Sequence, residues 1–157
     1  MRWKARRAAD APGSVRKAGC GTLGEFMKTV QDILDQKNKP VVSIEPLASV
    51  FEAARLLDEH NVGALVVLID EYLVGIVTER DYVRKVILDH KTSKETKISE
   101  IMTRDVVKVT PETSARECID LMKEHHIRHL PVLVEGQVVG IVSLRDLFLE
   151  TIEGSES

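Results

Sequence analysis

Aromatic residues, long apolar runs and excess positive charge are scarce in this chain of 157 residues, and each scarcity excludes a class of function. Only 4% of the residues are aromatic, which argues against single-stranded nucleic-acid binding, because such binding relies on bases stacking on aromatic rings. The formal net charge of -3 lacks the basic character of a DNA-binding domain. No apolar run approaches the roughly 18 residues of a membrane-spanning helix. We therefore expect neither nucleic acid nor a membrane as a partner.

Cysteine is also rare, and the chemistry that it could support is correspondingly limited. Cys20 and Cys118 match no metal-ligand or redox spacing, so we expect no disulfide framework and a reducing, cytoplasmic location. Cys118 falls in the apolar stripe of a predicted helix, which favours buried packing over nucleophilic catalysis. Neither a P-loop nor a Ser/His/Asp arrangement occurs. We expect no enzyme activity, no catalytic residue and no catalytic cofactor.

The first 26 residues differ in composition from the rest of the chain. They contain six basic and two acidic residues, a charge of +4, which leaves -7 on the remainder of a chain of -3. This stretch is rich in Ala and Gly and has no apolar periodicity, so we interpret it as a disordered basic tail. Two alternatives remain open, untranslated sequence upstream of a start at Met27 and an organelle transit peptide.

The dominant feature of the sequence is an internal repeat. Shifting the chain by 65 positions places residues 41–83 on residues 106–148 without a gap, and 17 of these 43 pairs are identical. Each copy reads as strand, helix, strand, strand, helix, with a hairpin between the second and third strands. One copy of about 60 residues is too small to bury a sufficient core. We therefore predict an α/β (α+β) fold in which two β-α-β-β-α repeats pack with pseudo-twofold symmetry.

Local signals support this interpretation of each repeat. Short β-branched runs at 41–44 and 106–109 predict the first strands. Ser49-x-x-Glu52 and Ser114-x-x-Glu117 predict capping boxes at the first helices. Apolar residues at helical spacing follow and predict a buried stripe, which in the first helix consists of Val50, Ala53, Ala54 and Leu57. The stretch 89–105 joins the copies, and we place the repeats at 27–92 and 93–157, with 98–103 entering the second repeat.

Each repeat ends in a related heptad, "GIVTERD" at 75–81 and "GIVSLRD" at 140–146. Its glycine marks a bend or a close backbone approach. Its Thr or Ser and its Asp could simply cap the last helix. Against that reading, Asp is shorter than the Glu of the other predicted boxes, and an Arg precedes it. A hydroxyl, a carboxylate and a guanidinium also suit a ribose phosphate, because the carboxylate accepts from ribose hydroxyls and the cation meets the phosphate. Both interpretations stay open on the residues alone.

Taken together, these residues resemble a known family. The heptads, "NVGALVV", "IMTRDVVKVTPETSARE" and "IRHLPV" make residues 29–152 similar to a tandem pair of CBS domains, the cystathionine β-synthase module, of the small stand-alone kind. The resemblance implies binding of an adenosyl ligand such as AMP, ADP, ATP, NAD or S-adenosylmethionine between the repeats. It also implies a homodimer.

The resemblance assigns candidate ligand-binding residues in both repeats. It implies ribose and phosphate contacts at Thr78, Asp81, Ser143 and Asp146, and the heptad arginines Arg80 and Arg145 join them as candidates because of their charge. It also implies positions that line the adenine pocket at Ser43, Lys108, Ala64 and His129. Arg128 and His129 could in addition face a phosphate. Because the second repeat has Arg128-His129 where the first has Gly63-Ala64, we predict two unequal sites, only one of them tight.

Metal binding is the weaker interpretation of the histidines in the second repeat. His125 and His129 are four residues apart, but the chain enters a strand at Ile127, so they should not share a helix face, and no carboxylate or Cys completes a ligand set. We expect no metal site.

Two functions therefore compete. The first is a regulatory adenine-nucleotide sensor that modulates an unidentified partner protein. The second is a ligand-independent interaction module that docks on an enzyme or a thioredoxin-like protein, in which case the heptads would only cap helices.

Overall fold

The computed structural model describes residues 28–149 and shows a mixed α+β protein, as predicted from the repeat. The expectations for residues 1–26 lie outside these residues. The helices and strands are, in chain order, α1 (Val30–Lys37), β1 (Ser43–Ile44), α2 (Val50–His60), β2 (Ala64–Ile69), β3 (Tyr72–Thr78), α3 (Glu79–Tyr82), a π-helical segment (Val83–Ile87), α4 (Ile98–Ile101), α5 (Ala115–His125), β4 (His129–Val134), β5 (Gln137–Ser143) and α6 (residues 144–149).

The described residues form two compact units, and their limits do not follow the order of the repeats along the chain. The first unit contains residues 40–106, and the second contains residues 28–39 together with residues 107–149. Each repeat therefore packs with the segment that precedes the other repeat. Helix α1, which leads into the first repeat, belongs to the second unit, whereas α4, which leads into the second repeat, belongs to the first.

The first unit is built on a three-stranded sheet of order β1-β2-β3, in which β1 is parallel and β3 antiparallel to β2. Helix α2 buries the predicted apolar stripe, including Val50, Ala53 and Leu57. Helix α4 adds Ile98 and Ile101, which are 0% and 1% exposed. The stretch that joins the repeats in sequence thus contributes side chains to the core of the first unit.

The second unit differs at its first strand, and the prediction of a strand over residues 106–109 is wrong. Only Val109 pairs there, through an isolated parallel bridge to Val132, which leaves β4 and β5 as a two-stranded sheet. In the first unit the Val66 N–H donates to the Val42 carbonyl. The equivalent of Val66 is Pro131, which has no N–H to donate, so the ladder cannot extend.

The predicted hairpins are present, and their turns differ between the units. The first turn holds Asp70 at φ 48° and Glu71 at φ 72°, and the second holds Glu135 at φ 50° and Gly136 at φ 80°. Both turns need two residues in the left-handed region, as in the tight turns that match the twist of paired strands. The first turn does this without a glycine.

The helix caps correct part of the sequence interpretation. Ser49 accepts from the Glu52 N–H at 3.2 Å, and Ser114 accepts from the Glu117 N–H at 3.1 Å, but neither Glu returns a bond within the described residues. By contrast, Asp32 at the start of α1 completes a capping box with Thr29. Asp81 also completes such a box with Thr78, so the shorter side chain of Asp, which was weighed against a capping role for the heptads, does not prevent one.

Candidate functional site

In the second unit, the heptad aspartate is the centre of a half-buried polar cluster. Asp146 Oδ2 accepts the Ser143 N–H at 2.8 Å, and the Asp146 N–H donates to Ser143 Oγ at 3.2 Å. Lys37 Nζ also binds Asp146 Oδ2 at 2.9 Å and donates to the Ile141 carbonyl at 2.9 Å. The side chains of Lys37 and Asp146 are 23% and 17% exposed. Asp146 Oδ1 has no hydrogen-bond partner among the described residues.

His129 lies beside this cluster, because its strand partner across the hairpin is Ser143. Burial first, and then the charge of Lys37, lower the pKa of His129 from 6.5 to about 4, although the charge of Asp146 opposes the shift. Burial alone would raise the pKa of Asp146, but the hydrogen bonds from Lys37 and Ser143 outweigh it, so this pKa lies below its usual value. At neutral pH the cluster therefore contains a carboxylate, an ammonium and an uncharged imidazole.

In the first unit, the same heptad position is more completely occupied. Asp81 Oδ2 accepts the Thr78 N–H at 2.9 Å and the Thr78 hydroxyl at 3.2 Å, and the Asp81 N–H donates back to Thr78 Oγ1 at 3.3 Å. Lys85 Nζ contacts Asp81 Oδ1 at 3.2 Å and donates to the Ile101 carbonyl at 2.8 Å. Both carboxylate oxygens of Asp81 are thus engaged. Ala64, the strand partner of Thr78, offers no polar side chain.

The heptad glycines mark close approaches, as the sequence predicted. A Cβ on Gly75 would lie 2.7 Å from Met102 Sδ and 3.0 Å from the Thr103 carbonyl oxygen. A Cβ on Gly140 would lie 2.6 Å from Leu34 Cδ2. In each unit the glycine lets the segment that precedes the other repeat pack against the heptad strand.

The structure groups some of the candidate residues and separates others. It brings together the strand partners and aspartates of each heptad, namely Ala64, Thr78 and Asp81 in the first unit and His129, Ser143 and Asp146 in the second. Arg80, Arg145 and Arg128 lie on the exposed surface beside them. The Arg128 carbonyl accepts the Leu144 N–H at 2.8 Å, as the Gly63 carbonyl accepts the Glu79 N–H at 3.2 Å.

Ser43 and Lys108 lie on the other side of the middle strand from their heptads, because Val66 pairs with both Ser43 and Ile76, and Val132 pairs with both Val109 and Gly140. Ser43 pairs with Val66 and lines a cavity of about 840 Å³ with the hairpin turn at Asp70 and Glu71. The turn follows Ile69, at the end of β2 that lies opposite to Ala64. At the usual rise of a strand, about 17 Å separate Ala64 from Ile69. Lys108 is exposed and precedes the Val109 bridge.

Two lysines of these clusters were not among the candidate ligand residues. Lys85 stands four residues after Asp81, a spacing that places both on one helix face, and this signal was available. Lys37 carried no such signal, because 109 positions separate it from Asp146.

The remaining reactive side chains do not form a site within residues 28–149. No group of three or more His, Cys, Asp or Glu side chains in this part of the chain is arranged to hold a metal ion. Cys118 is fully buried, and burial raises the pKa of its thiol to about 11, which keeps it unreactive at neutral pH. None of the helices in the same residues is long and apolar enough to cross a membrane.

Comparison with known proteins agrees with this architecture. The family model of the CBS domain matches residues 30–88 and 98–152. The chain is 38% identical over 128 residues to the mitochondrial CBS domain-containing protein CBSX3 of Arabidopsis thaliana, which covers 76% of this chain and 62% of that relative. The chain therefore spans less than two thirds of the length of this relative.

Solved structures give the same result. A CBS domain crystal structure is 46% identical, with a TM-score of 0.77, and the match covers 80% of this chain and 98% of that one. A hexameric CBS-CP12 protein from bloom-forming cyanobacteria is 30% identical, with a TM-score of 0.74, over 83% of this chain and 75% of its own. The chain therefore belongs to the CBS domain family and is a CBS-pair protein, a generally regulatory type.

Proposed function

We propose that this protein is a regulatory sensor that binds adenosine phosphates at its heptads and passes their occupancy to a partner protein. The observation that carries the proposal is the cluster around Asp146, where a half-buried carboxylate keeps one oxygen without a donor from residues 28–149, next to an ammonium group. Carboxylates in such positions accept hydrogen bonds from the two hydroxyls of a ribose. The ammonium group of Lys37 would attract the phosphate.

The neutral His129 extends this chemistry toward the base. An uncharged imidazole has one donor and one acceptor nitrogen, so it can pair with a ribose hydroxyl or with adenine without repelling the Lys37 charge. The exposed Arg128 and Arg145 add positive charge at the same end of the sheet. The first unit has Ala64 in place of His129, so the position beside Thr78 offers a ligand no polar side chain.

The two sites should therefore differ in affinity, with the second tighter. A ribose that binds Asp81 must displace Lys85 from Oδ1, whereas Asp146 has Oδ1 available. An exposed ion pair of this kind contributes about 0.2–1 kcal/mol, so its loss alone would weaken binding only a few-fold. The missing imidazole adds to the difference, and we expect at least tenfold tighter binding at the second site.

Isothermal titration with AMP, ADP, ATP, NAD and S-adenosylmethionine tests this proposal. Asp146→Ala should abolish the tight binding event and Asp81→Ala the weak one. Ligand at 100 times its dissociation constant should also add roughly 2.7 kcal/mol to the free energy of unfolding, which a thermal shift detects. Unchanged binding in both variants would exclude the heptads as the site.

The signal would reach the partner as a population shift. A ligand favours whichever arrangement it binds better, by no more than its difference in affinity for the two. No catalytic step is required, and we propose none.

Assembly is a second part of the proposal, and we infer a homodimer. The helical segments that follow the two heptads expose apolar side chains, Val83, Ile87 and Leu88 in the first unit and Phe148 and Leu149 in the second, each at least 47% exposed. Contiguous exposed apolar side chains can mark interaction surfaces. The CBS-CP12 relative is hexameric, so the number of subunits has to be measured for this chain. Light scattering should show a dimer for the wild type and a weakened dimer for Val83→Glu. A monomeric wild type would exclude the homodimer.

A ligand-independent interaction module remains the second candidate, and the cavity of the first unit favours it. Apolar Leu47 and Ile69, 74% and 50% exposed, line this cavity together with Glu45, Asp70 and Glu71. An apolar surface with an acidic rim suits a basic peptide segment of a partner. Failure of all five ligands to bind, combined with a partner lost on Leu47→Glu, would favour this function.

Localisation follows from the basic residues 1–26, for which we infer a cytoplasmic default with organelle targeting as the alternative. The Arabidopsis relative is described as mitochondrial, which supports testing that alternative. A fluorescent protein fused behind residues 1–26 should stay in the cytosol if the default holds.

A further inference from the structure

Helix α1 precedes the first repeat in sequence but is a structural part of the second unit. Val30 and Ile33 are 0% and 2% exposed in the core of that unit. The Val30 N–H donates to the Thr113 carbonyl at 2.8 Å, and the Ala115 N–H donates to the Lys28 carbonyl at 2.8 Å. These contacts fix the start of α1 independently of the heptad.

The other end of α1 is tied to the heptad through one side chain. Lys37, the last residue of α1, places Nζ within 2.9 Å of both the Ile141 carbonyl oxygen and Asp146 Oδ2. A lysine ammonium has three donors, so the contacts within residues 28–149 use two of them and leave one for a ligand. After Lys37 the helix ends at Asn38, whose φ of 45° turns the chain toward the first unit.

In the first unit the lysine that binds the heptad aspartate comes from the repeat itself and not from the segment that precedes the other repeat. There the lysine, Lys85, lies on the π-helical segment of the repeat itself, and the preceding segment supplies its Ile101 carbonyl as an acceptor. The backbone also pairs, because Thr103 and Ile76 exchange N–H to carbonyl bonds at 2.9 and 3.0 Å. In the second unit, by contrast, the segment that leads into the other repeat contributes the charged group, Lys37, that binds the heptad aspartate.

We propose that Lys37 makes helix α1 the ligand-responsive element of the second site, with its remaining donor binding the phosphate of an adenosine phosphate that occupies Asp146. This inference rests on the proposed function. Occupancy then holds the end of α1 more firmly on the second unit. Because residues 38–40 run directly from α1 into the first unit, ligand at one heptad restrains the chain that enters the other.

Hydrogen exchange of the full chain tests this coupling, with AMP and adenosine as probes. AMP should slow exchange of the amides of residues 33–38 more than adenosine does, in the wild type and in the matched control Lys85→Met. Lys37→Met should lose this difference, and Lys37→Arg should retain it. Lys37→Met should also reduce the preference for AMP over adenosine at least about tenfold, because it removes a charge-assisted hydrogen bond.

The outcomes separate this inference from the proposed function. If Lys37→Met weakens AMP and adenosine equally, Lys37 only supports the fold, and the coupling is overturned. If AMP binds the wild type but leaves exchange of residues 33–38 unchanged, the coupling is again overturned, while the sensor function stands. If neither probe binds the wild type, the proposed function fails and the coupling fails with it.

Discussion

The second unit binds its heptad aspartate with a lysine from a distant helix, whereas the first unit binds its own with a lysine four residues away. Within the described part of the chain, Asp146 thereby keeps Oδ1 without a donor, whereas Asp81 has both oxygens engaged. The heptads themselves differ little, so the difference arises from what packs against them. Duplicated motifs can therefore share a sequence and still offer different chemistry, because their surroundings come from outside the repeat.

The largest expected effect concerns His129, which stands where the first repeat has Ala64. The pKa of His129 is about 4 in the folded protein and 6.5 when the side chain is not buried, as in the unfolded chain. Between pH 4 and pH 6.5 the unfolded chain therefore binds more protons than the folded protein. The free energy of unfolding is therefore highest above pH 6.5, where His129 is uncharged in both states, and it falls as the pH is lowered toward 4. We expect the wild type to lose roughly 3 kcal/mol across this window and His129→Ala to lose much less.

Urea unfolding at pH 7 and pH 4.5 measures this difference. The change with pH is the relevant quantity, because His129→Ala also removes packing at both pH values. Parallel pH profiles for the two proteins would show that His129 is not the group responsible. Asp146 titrates below its usual value and would contribute only at more acidic pH.

The two heptad glycines provide the next comparison. In Gly75→Ala the new Cβ meets the Thr103 carbonyl oxygen at 3.0 Å, a backbone atom that cannot move alone, as well as Met102 Sδ. In Gly140→Ala it meets only the side chain of Leu34, which can change rotamer. Overpacking of this kind costs about 1–3 kcal/mol, so we expect about 2–3 for Gly75→Ala and about 1 for Gly140→Ala by chemical denaturation. Equal losses would contradict the different surroundings of the two strands.

The aspartates should show a smaller difference in the opposite direction. Asp146→Ala removes a helix cap and leaves Lys37, 23% exposed, without its carboxylate. We expect a loss of about 2 kcal/mol, against about 1 for Asp81→Ala, where the 41% exposed Lys85 regains water easily. The control pair Lys37→Met and Lys85→Met should follow the same order in urea. A larger loss for Asp81→Ala would show that the ion pair of Asp81 with Lys85 stabilises the fold more than the ion pair of Asp146 with Lys37.

The smallest effect concerns the hairpin turns. Glu71 lies at φ 72°, where the second repeat has Gly136, and a non-glycine residue is disfavoured there by sterics. Glu71→Gly should raise the free energy of unfolding by about 0.5 kcal/mol, because relief of strain exceeds the added entropy of the unfolded chain. Gly136→Ala should lower it by a similar amount. A loss of stability in Glu71→Gly would mean that the Glu71 side chain makes a contribution larger than the strain.

The sequence predicted the local features well, because their causes are local. The gapless repeat indicated the order of strands and helices, the heptad glycines indicated close approaches, and the apolar stripe of α2 was buried as predicted. The strand at 106–109 failed through Pro131, a residue 22 or more positions away that withholds one N–H from the ladder. The signal was present in the sequence, but it was visible only once Val66 and Pro131 were aligned.

The features that escaped prediction depend on contacts between distant segments. Lys37 and Asp146 are 109 positions apart, and no periodicity or motif links them. The packing of α4 on the first unit and of α1 on the second likewise follows from complementary surfaces rather than from order along the chain. Contacts of this kind decide the electrostatics of the heptads, which is why the sequence predicted unequal surroundings from Gly63-Ala64 and Arg128-His129 but not the different lysine contacts of Asp81 and Asp146.

The placement of α1 in the second unit has a consequence for folding of the chain during its synthesis on the ribosome. Val30 and Ile33 leave the exit tunnel early, but their core partners, such as Leu130 and Leu147, are synthesised more than 90 residues later. The nascent chain must therefore carry an apolar helix face without its partners while the first repeat is completed, a state that invites chaperones or aggregation. A chain cut after residue 106 would keep that face permanently uncovered, so one repeat with its own leading helix is not a transplantable domain.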